Sequence, residues 1–283
     1  MPKPSNLELY HSTWAMERRH PVEQEWSLEQ QCEMVAAAGF HGLNIDPDTD
    51  FIPSRADTRN ALINSGLSCS MCGFPSCLDD VRFCLDWCTD LDATALVVNA
   101  RFFPLNPGEA MEFVQSSMEL GRSAGIPVQF ETHRFTLTND LLFTCELVEL
   151  CPDMELVADL SHYVVGREMP MPVDDFHQDM VARILGRSVS IQGRVASREQ
   201  VQVPLHFPRH QPWVEQFKHW WRQGIRSWLD RDNRGESFNF TCELGPPDYA
   251  ITDAEGYEMA DRWQESLELK NVIENIWAEE NAS

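Results

Sequence analysis

Eight short β-prone runs, each followed by a longer segment of helical character, constrain this chain more than any other feature. The runs cover residues 7–15, 41–45, 68–74, 95–100, 127–132, 155–161, 188–195 and 237–244. Alternation of this kind implies parallel strands joined by right-handed crossovers. Two architectures accommodate it, an open doubly wound sheet and a closed barrel. No GxGxxG turn or phosphate-binding loop follows any of the runs, and eight strand–helix pairs are the number that closes. The expectation is an α/β chain forming one (β/α)8 TIM barrel, with residues 1–283 as a single domain.

Several helix boundaries are marked. Ser27 and Gln30 make a capping box ahead of an apolar segment over 28–38, which Gly39 is placed to end. Over 108–123, Met111, Val114, Met118 and Leu120 recur at helical spacing, and Gly125 stops the pattern. Pro212 opens an amphipathic segment carrying Trp213, Phe217, Trp220, Trp221 and Trp228, read as a ridge facing the core. The same aromatic segment is the one candidate surface for a homo-oligomer.

Composition narrows the function. The formal net charge is −23, from 45 acidic and 22 basic residues. A field of that sign repels phosphate backbones, which argues against nucleic acid as a partner. No apolar run reaches the ~18 residues of a membrane helix. The opening MPKPSNLELYHS lacks the apolar stretch of a signal peptide, so the expected location is cytoplasmic. The nine cysteines are then expected as reduced thiols. Five of them cluster at 69, 72, 77, 84 and 88, where Cys69 and Cys72 form a CxxC without a second matching pair. Buried thiols that pack as small apolar residues explain that cluster better than a metal knuckle.

The chemistry sits where barrels of this kind carry it, at strand carboxyl ends. The fifth run ends in Glu131, His133 and Arg134, and the sixth in Asp159 and His162. The seventh carries Gln192 and Arg194, and the eighth ends in Glu243, with Tyr249 just beyond. Three carboxylates converging in a dry cavity repel one another unless protons or a cation neutralise them. A divalent cation does so directly.

These motifs (ETHR, DLSH, Arg-Val followed by Gln202 and Val203, and Glu-Leu-Gly-Pro-Pro-Asp-Tyr) resemble the xylose-isomerase-like barrel superfamily. The likeness is to proteins labelled sugar phosphate isomerase/epimerase, and it covers roughly residues 90–277. The resemblance implies metal ligands at Glu131, Asp159, Gln192 and Glu243, with Glu131 and Glu243 also the acid/base pair. It implies His162 and Arg194 as substrate-binding residues. His133 and Arg134 are further candidates, and Trp14 and His11 on the first run are placed to line the mouth. Gln192 departs from the pattern, which has histidine there. An amide oxygen suits Mn²⁺ or Mg²⁺ better than Zn²⁺ or Co²⁺.

The implied reaction is proton abstraction beside a carbonyl through an enediolate, by a sugar isomerase or epimerase acting on a small sugar or polyol. A lyase dehydrating a keto-polyol on the same scaffold begins with the same step. A barrel that binds a sugar without turning it over is the reading that Gln192 alone supports. The superfamily's phosphodiester-cleaving members need a histidine-rich multi-metal cluster and a basic groove, and neither pattern is present here. Only Gly235 and Gly245 stand near the last two strands where a phosphate loop would form, which favours an unphosphorylated substrate.

Overall fold

Side chains along every strand alternate between two environments, and this explains why the β-prone runs are short and incompletely apolar. In the computed structural model, which describes residues 6–18, 25–47, 52–232 and 235–282, the strands are β1 (Asn6–Ser12), β2 (Gly42–Ile45), β3 (Ser68–Gly73), β4 (Leu96–Val98), β5 (Val128–Glu131), β6 (Glu155–Ala158), β7 (Ser188–Gly193) and β8 (Ser237–Cys242). They pair in chain order, all parallel, and β1 pairs with β8 as well as with β2, so the sheet closes. The (β/α)8 barrel expected from the alternation is the fold observed. No helix among the described residues is long and apolar enough to cross a membrane.

In β8, Phe238, Phe240 and Cys242 point outward into the core, while Asn239 and Thr241 point into the barrel. The same period of two places Leu43 and Ile45 of β2, and Cys69 and Met71 of β3, on the outer face. That outer face and the surrounding helices form the main apolar layer. The interior is polar instead. Ser70, Gln129, Ser190, Asn239 and Thr241 surround a cavity of about 390 Å³ that extends from beneath Gln192 toward Glu8, Glu155 and Glu236 at the amino-terminal end. Barrels of this architecture usually fill that volume with bulky branched side chains.

The helices are α1 (Leu28–Ala37), α2 (Arg55–Ser65), α3 (Leu78–Leu91), α4 (Pro107–Ala124), α5 (Leu141–Leu150), α6 (Ser161–Gly166), α7 (Asp175–Leu185), α8 (Gln211–Leu229) and α9 (Arg262–Asn281). Ser27 and Gln30 form the expected capping box at α1, and Gly39 and Gly125 follow α1 and α4 with φ of +75° and +73°. The buried stripe of α4 differs from the expected one. It runs through Ala110, Phe113, Val114, Ser117 and Gly121, with Met111, Met118 and Leu120 half-buried beside it. Small residues lie on the inner line because α4 packs tightly on β5: a Cβ on Gly121 would stand 2.4 Å from the Val128 side chain.

On α8, Trp213, Phe217, Trp220, Trp221 and Trp228 are all buried within the chain. Trp221 packs edge-on against Phe240 and Trp228 against Phe238, each at 5.5 Å between ring centres. The ridge therefore seats the helix on β8 and offers no aromatic surface to a second subunit. All nine cysteines are free thiols. Cys69 and Cys72 lie on opposite faces of β3, Cys69 in the outer core and Cys72 against Asn99, so the CxxC forms no knuckle.

The strands stop earlier than the β-prone runs do. Strand pairing ends at Ser12, Ala158, Gly193 and Cys242, where the runs extend to 15, 161, 195 and 244. The residues beyond each last ladder partner are those that splay out to build a site. Arg262, buried at the start of α9, ties two of these ends together: it donates to the carbonyls of Ala15 and Glu17 after β1 and to that of Leu244 after β8.

Candidate active site

Four consecutive strands deliver polar side chains to one point at the carboxyl end of the barrel. Glu131 closes β5, Asp159 follows β6, Gln192 lies in β7 with Arg194 just past it, and Glu243 follows β8. All five are buried. Carboxylate oxygens of Glu131, Asp159 and Glu243 lie within 4.8 Å of one another. The positive group nearest to them is Arg194, whose Nη2 donates to Glu243 Oε2 at 2.6 Å and stands 3.1 Å from Asp159 Oδ2. Its Nε donates to the same Asp159 oxygen at 3.2 Å. Tyr249 and Trp14 cover the guanidinium, with ring centres 4.7 and 5.5 Å from its central carbon.

Local folding explains these positions. Asp159 Oδ1 accepts the backbone N–H of Ser161 and so opens α6, which brings His162 back over the aspartate. The Tyr163 hydroxyl donates to the Thr138 carbonyl, tying α6 to the loop that leaves β5. Trp14 sits on Gly245, where any Cβ would collide with the indole at 2.1 Å, and Gln202 holds Gly245 through both its N–H and its carbonyl.

Burial dominates the electrostatics. Glu131 is held well above the usual carboxylate range by burial and then by the charges of Glu243 and Asp159, with a hydrogen bond from Asn99 opposing. Burial likewise raises Glu243 to about 7, against the pull of Arg194 and helped by Asp159 and Asp46. Burial disfavours the charge on Arg194, but Asp159 and Glu243 more than offset it. Desolvation pushes His162 well below its ordinary value, and His133, Arg194 and Arg134 push it further. His162 is therefore a neutral imidazole. Its Nε2 lies 3.5 Å from Asp159 Oδ2, too long for an ion pair of consequence.

The rim is aromatic and cationic. The His133 ring centre is 4.0 Å from that of His162, and its Nδ1 hydrogen donates to the Arg134 carbonyl. Burial takes His133 down to about 4. The exposed Arg134 reaches across to Tyr249, 4.6 Å from the ring centre.

Of the eleven residues singled out in the sequence, ten meet here and His11 does not. Because side chains alternate along β1, Tyr10 faces the interior and His11 faces the helices. There its Nε2 meets Ser266 of α9, and its ring packs on Phe40 and Trp263. Trp14 reaches the mouth because a 3-10 turn follows the strand.

Sequence reasoning missed three contributors. Asn99, past β4, donates from Nδ2 to Glu131 Oε2 at 2.9 Å and to Cys72 Sγ at 3.2 Å. Asp46, past β2, is close enough to raise Glu243 and Cys72. Asparagine and cysteine at the end of a strand carry no charge signal, and Asp46 sits in the acid-rich stretch IDPDTD, where one carboxylate does not stand out.

The donor set fits a hard divalent cation. Fully ionised, three carboxylates against one guanidinium would leave two negative charges in the innermost group, which a divalent cation balances. Asn99 Oδ1, Gln192 Oε1, Arg194 Nη1 and both ring nitrogens of His162 are buried without a hydrogen-bond partner. Buried polar atoms left in this way cost about 1–3 kcal/mol each, so the arrangement is built to receive something polar.

Known structures share this architecture. The chain superposes on a D-allulose 3-epimerase from Methylomonas sp. with a TM-score of 0.61 at 15% identity, covering 99% of this chain and 100% of the other. The two chains share the (β/α)8 barrel fold. A xylose isomerase-like TIM barrel protein from Mycobacterium smegmatis, in complex with magnesium, gives 0.60 at 17% identity over 95% and 97% of the two chains. A D-psicose 3-epimerase with D-tagatose from Clostridium cellulolyticum H10 gives 0.64 at 12% over 96% and 99%. No protein-family model and no curated protein matches the sequence. At these identities the likeness shows the (β/α)8 fold and leaves the chemistry to the site.

Proposed function

We propose that this xylose-isomerase-like barrel is a divalent-metal-dependent isomerase or epimerase of a sugar or related polyol. The single observation that carries this reading is the convergence of three buried carboxylates from β5, β6 and β8, with oxygens within 4.8 Å of one another, where one guanidinium pairs with only two of them. Glu131, Asp159, Gln192 and Glu243 would hold the ion, with Mn²⁺ or Mg²⁺ preferred over Co²⁺ or Zn²⁺ because every donor in that set is oxygen. The magnesium complex and the sugar 3-epimerases among the similar structures support the same class.

A bound divalent cation would polarise the carbonyl oxygen and the neighbouring hydroxyl, acidifying the hydroxyl-bearing carbon beside the carbonyl. The chain's own groups do the rest. Glu131 and Glu243 stand at the ends of β5 and β8, with β6 and β7 between them. One takes the proton from the carbon beside the carbonyl. The other returns a proton to the opposite face for epimerisation, or to the adjacent carbon for isomerisation. In the metal-free protein burial raises Glu243 to about 7, and a bound cation would favour its ionised, proton-accepting form. Arg194 keeps both N–H groups of Nη1 uncommitted, and they donate to the substrate oxygen on which negative charge grows. Neutral His162 orients a hydroxyl. His133 and Arg134 contact the substrate from the rim, while Trp14 and Tyr249 exclude water from above.

The test is incubation of Mn²⁺-loaded protein with a panel of ketoses in D₂O, read by NMR and mass spectrometry. Solvent deuterium at the carbon beside the carbonyl, in a product isomeric with the substrate, is the expected result. Loss of water from the substrate would assign a dehydratase instead. Tight sugar binding with no exchange at full metal loading would contradict the reading.

A further inference from the structure

Glu131 is gripped in a way that its role as a simple metal-binding carboxylate does not require. Its Oε2 accepts two amide hydrogen bonds from opposite sides of the barrel, from Asn99 Nδ2 at 2.9 Å and from Gln192 Nε2 at 3.2 Å. Asn99 and Gln192 are each 1% exposed. The other end of each amide, Asn99 Oδ1 and Gln192 Oε1, is buried and has no partner. With Glu131 in the ionised form that a cation would hold, neither amide could be turned over, because a flip would set an oxygen lone pair against the carboxylate oxygen. The orientation that satisfies Glu131 therefore leaves two carbonyl-type oxygens unsatisfied beside the cluster.

Hydrogen-bond donors among the neighbouring side chains do not answer them. The Arg194 Nε and Nη2 groups are engaged by Asp159 and Glu243, and its Nη1 is itself without a partner. Two neutral oxygens next to three carboxylates form a donor set that a hard cation satisfies in one step, since amide carbonyls and carboxylates are the ligands such ions take. Clamping Oε2 also leaves Oε1 as the glutamate oxygen available to a ligand.

We infer that Asn99 and Gln192 form a paired-amide clamp that fixes Glu131 through one oxygen and presents two neutral oxygens to a divalent cation, selecting hard oxygen-seeking ions over zinc. Asn99 is the new element of this site. It supplies, from β4, a donor that partly replaces the imidazole absent at position 192. The inference rests on the divalent-cation reading of the site proposed above.

The experiment is calorimetric titration of Mn²⁺, and separately Zn²⁺, into metal-stripped full-length protein and into Asn99→Leu, Asn99→Asp and Gln192→His, with circular dichroism to confirm folding. Asn99→Leu keeps the volume and removes both ends of the amide, so Mn²⁺ affinity is expected to fall roughly tenfold or more. Asn99→Asp keeps an oxygen, adds charge and loses the N–H group, so Mn²⁺ affinity is expected to rise. Gln192→His is expected to shift the Zn²⁺-to-Mn²⁺ affinity ratio toward zinc by roughly tenfold or more. Mn²⁺ affinity within twofold of wild type in Asn99→Leu would overturn the inference alone. So would a fall in Asn99→Asp, which would reduce Asn99 to a support for Glu131, and that variant decides if Asn99→Leu does not fold. Absence of any metal binding to the wild type would overturn the divalent-cation reading and the inference with it.

Discussion

Strands β5 to β8 deliver Glu131, Asp159, Gln192, Arg194 and Glu243 to the carboxyl end of the barrel, whereas at or beside the ends of β1 to β4 the buried polar or thiol residues are Ser12, Asn44, Cys72 and Asn99. The two halves share one backbone plan and differ in what they can do. The charged half holds every group able to move a proton or bind a cation strongly. The neutral half holds groups that orient: Asn99 donates to Glu131, and Asn44 donates to Ser70. The difference follows from electrostatics. Three carboxylates in a dry site already exceed what one arginine offsets, and a second ring of charge would raise the cost of burial further. Asp46 is the exception in the neutral half, and its influence on Glu243 is felt from a half-buried position past β2.

Substitutions that remove charge from one half and polarity from the other sharpen this contrast. The largest expected effect is in catalysis. Glu243→Gln and Glu131→Gln, which keep shape and lose the ability to carry a proton, should each lower the D₂O exchange rate by roughly 10²–10⁴-fold. Cys72→Ser, in the neutral half, should leave it within about threefold of wild type. Equal losses in the two halves would break the contrast.

Arg194→Met comes next, measured as stability of the metal-free protein. Removing one partner of a buried charge cluster costs about 3–5 kcal/mol, because Asp159 and Glu243 are left facing each other. Chemical denaturation reads this directly, and saturating Mn²⁺ should return part of the loss.

The pH profile of the metal-free protein should have an unusual sign. A carboxyl group whose folded pKa lies above its unfolded value binds more protons in the folded state, so its stabilising contribution is complete below the unfolded pKa and is lost as pH rises through the folded one. For Glu243 that window runs from 4.5 to about 7. Denaturation midpoints should fall across it, by up to roughly 3 kcal/mol of stability from this group. Saturating Mn²⁺ should flatten the slope. Rising stability over that window without metal would contradict the assigned environment.

The smallest effect separates two residues near the end of β1. Trp14→Ala should weaken ligand binding by about 2–10-fold, the usual worth of one aromatic contact. His11→Gln should leave binding unchanged and cost about 1 kcal/mol of stability through its lost contacts with α9 and Phe40.

The contrast between the halves also explains what could be read from the residues alone. Strand–helix alternation and the cap signals at Ser27, Gly39 and Gly125 were enough for the barrel, because each depends on local periodicity and backbone chemistry. The charged half was legible because a buried carboxylate at a strand end has no structural excuse. Asn99 and Cys72 were not, since their meaning comes from contact with Glu131 across a strand boundary. His11 was misplaced for a related reason: a one-residue change of parity turns a side chain from the barrel interior to the helices, and the residues of β1 do not announce the parity. The polar interior around Ser70, Ser190 and Thr241 was hidden in runs that looked continuously β-prone.

The most direct test of the central claim is titration of Mn²⁺ into metal-stripped wild type and into Glu243→Gln, followed by calorimetry. Binding of one ion per wild-type chain, lost or strongly weakened in the variant, is the expected result. A folded wild type that binds no Mn²⁺, or a variant that binds it as tightly as the wild type, would contradict a cation site built from the last four strands.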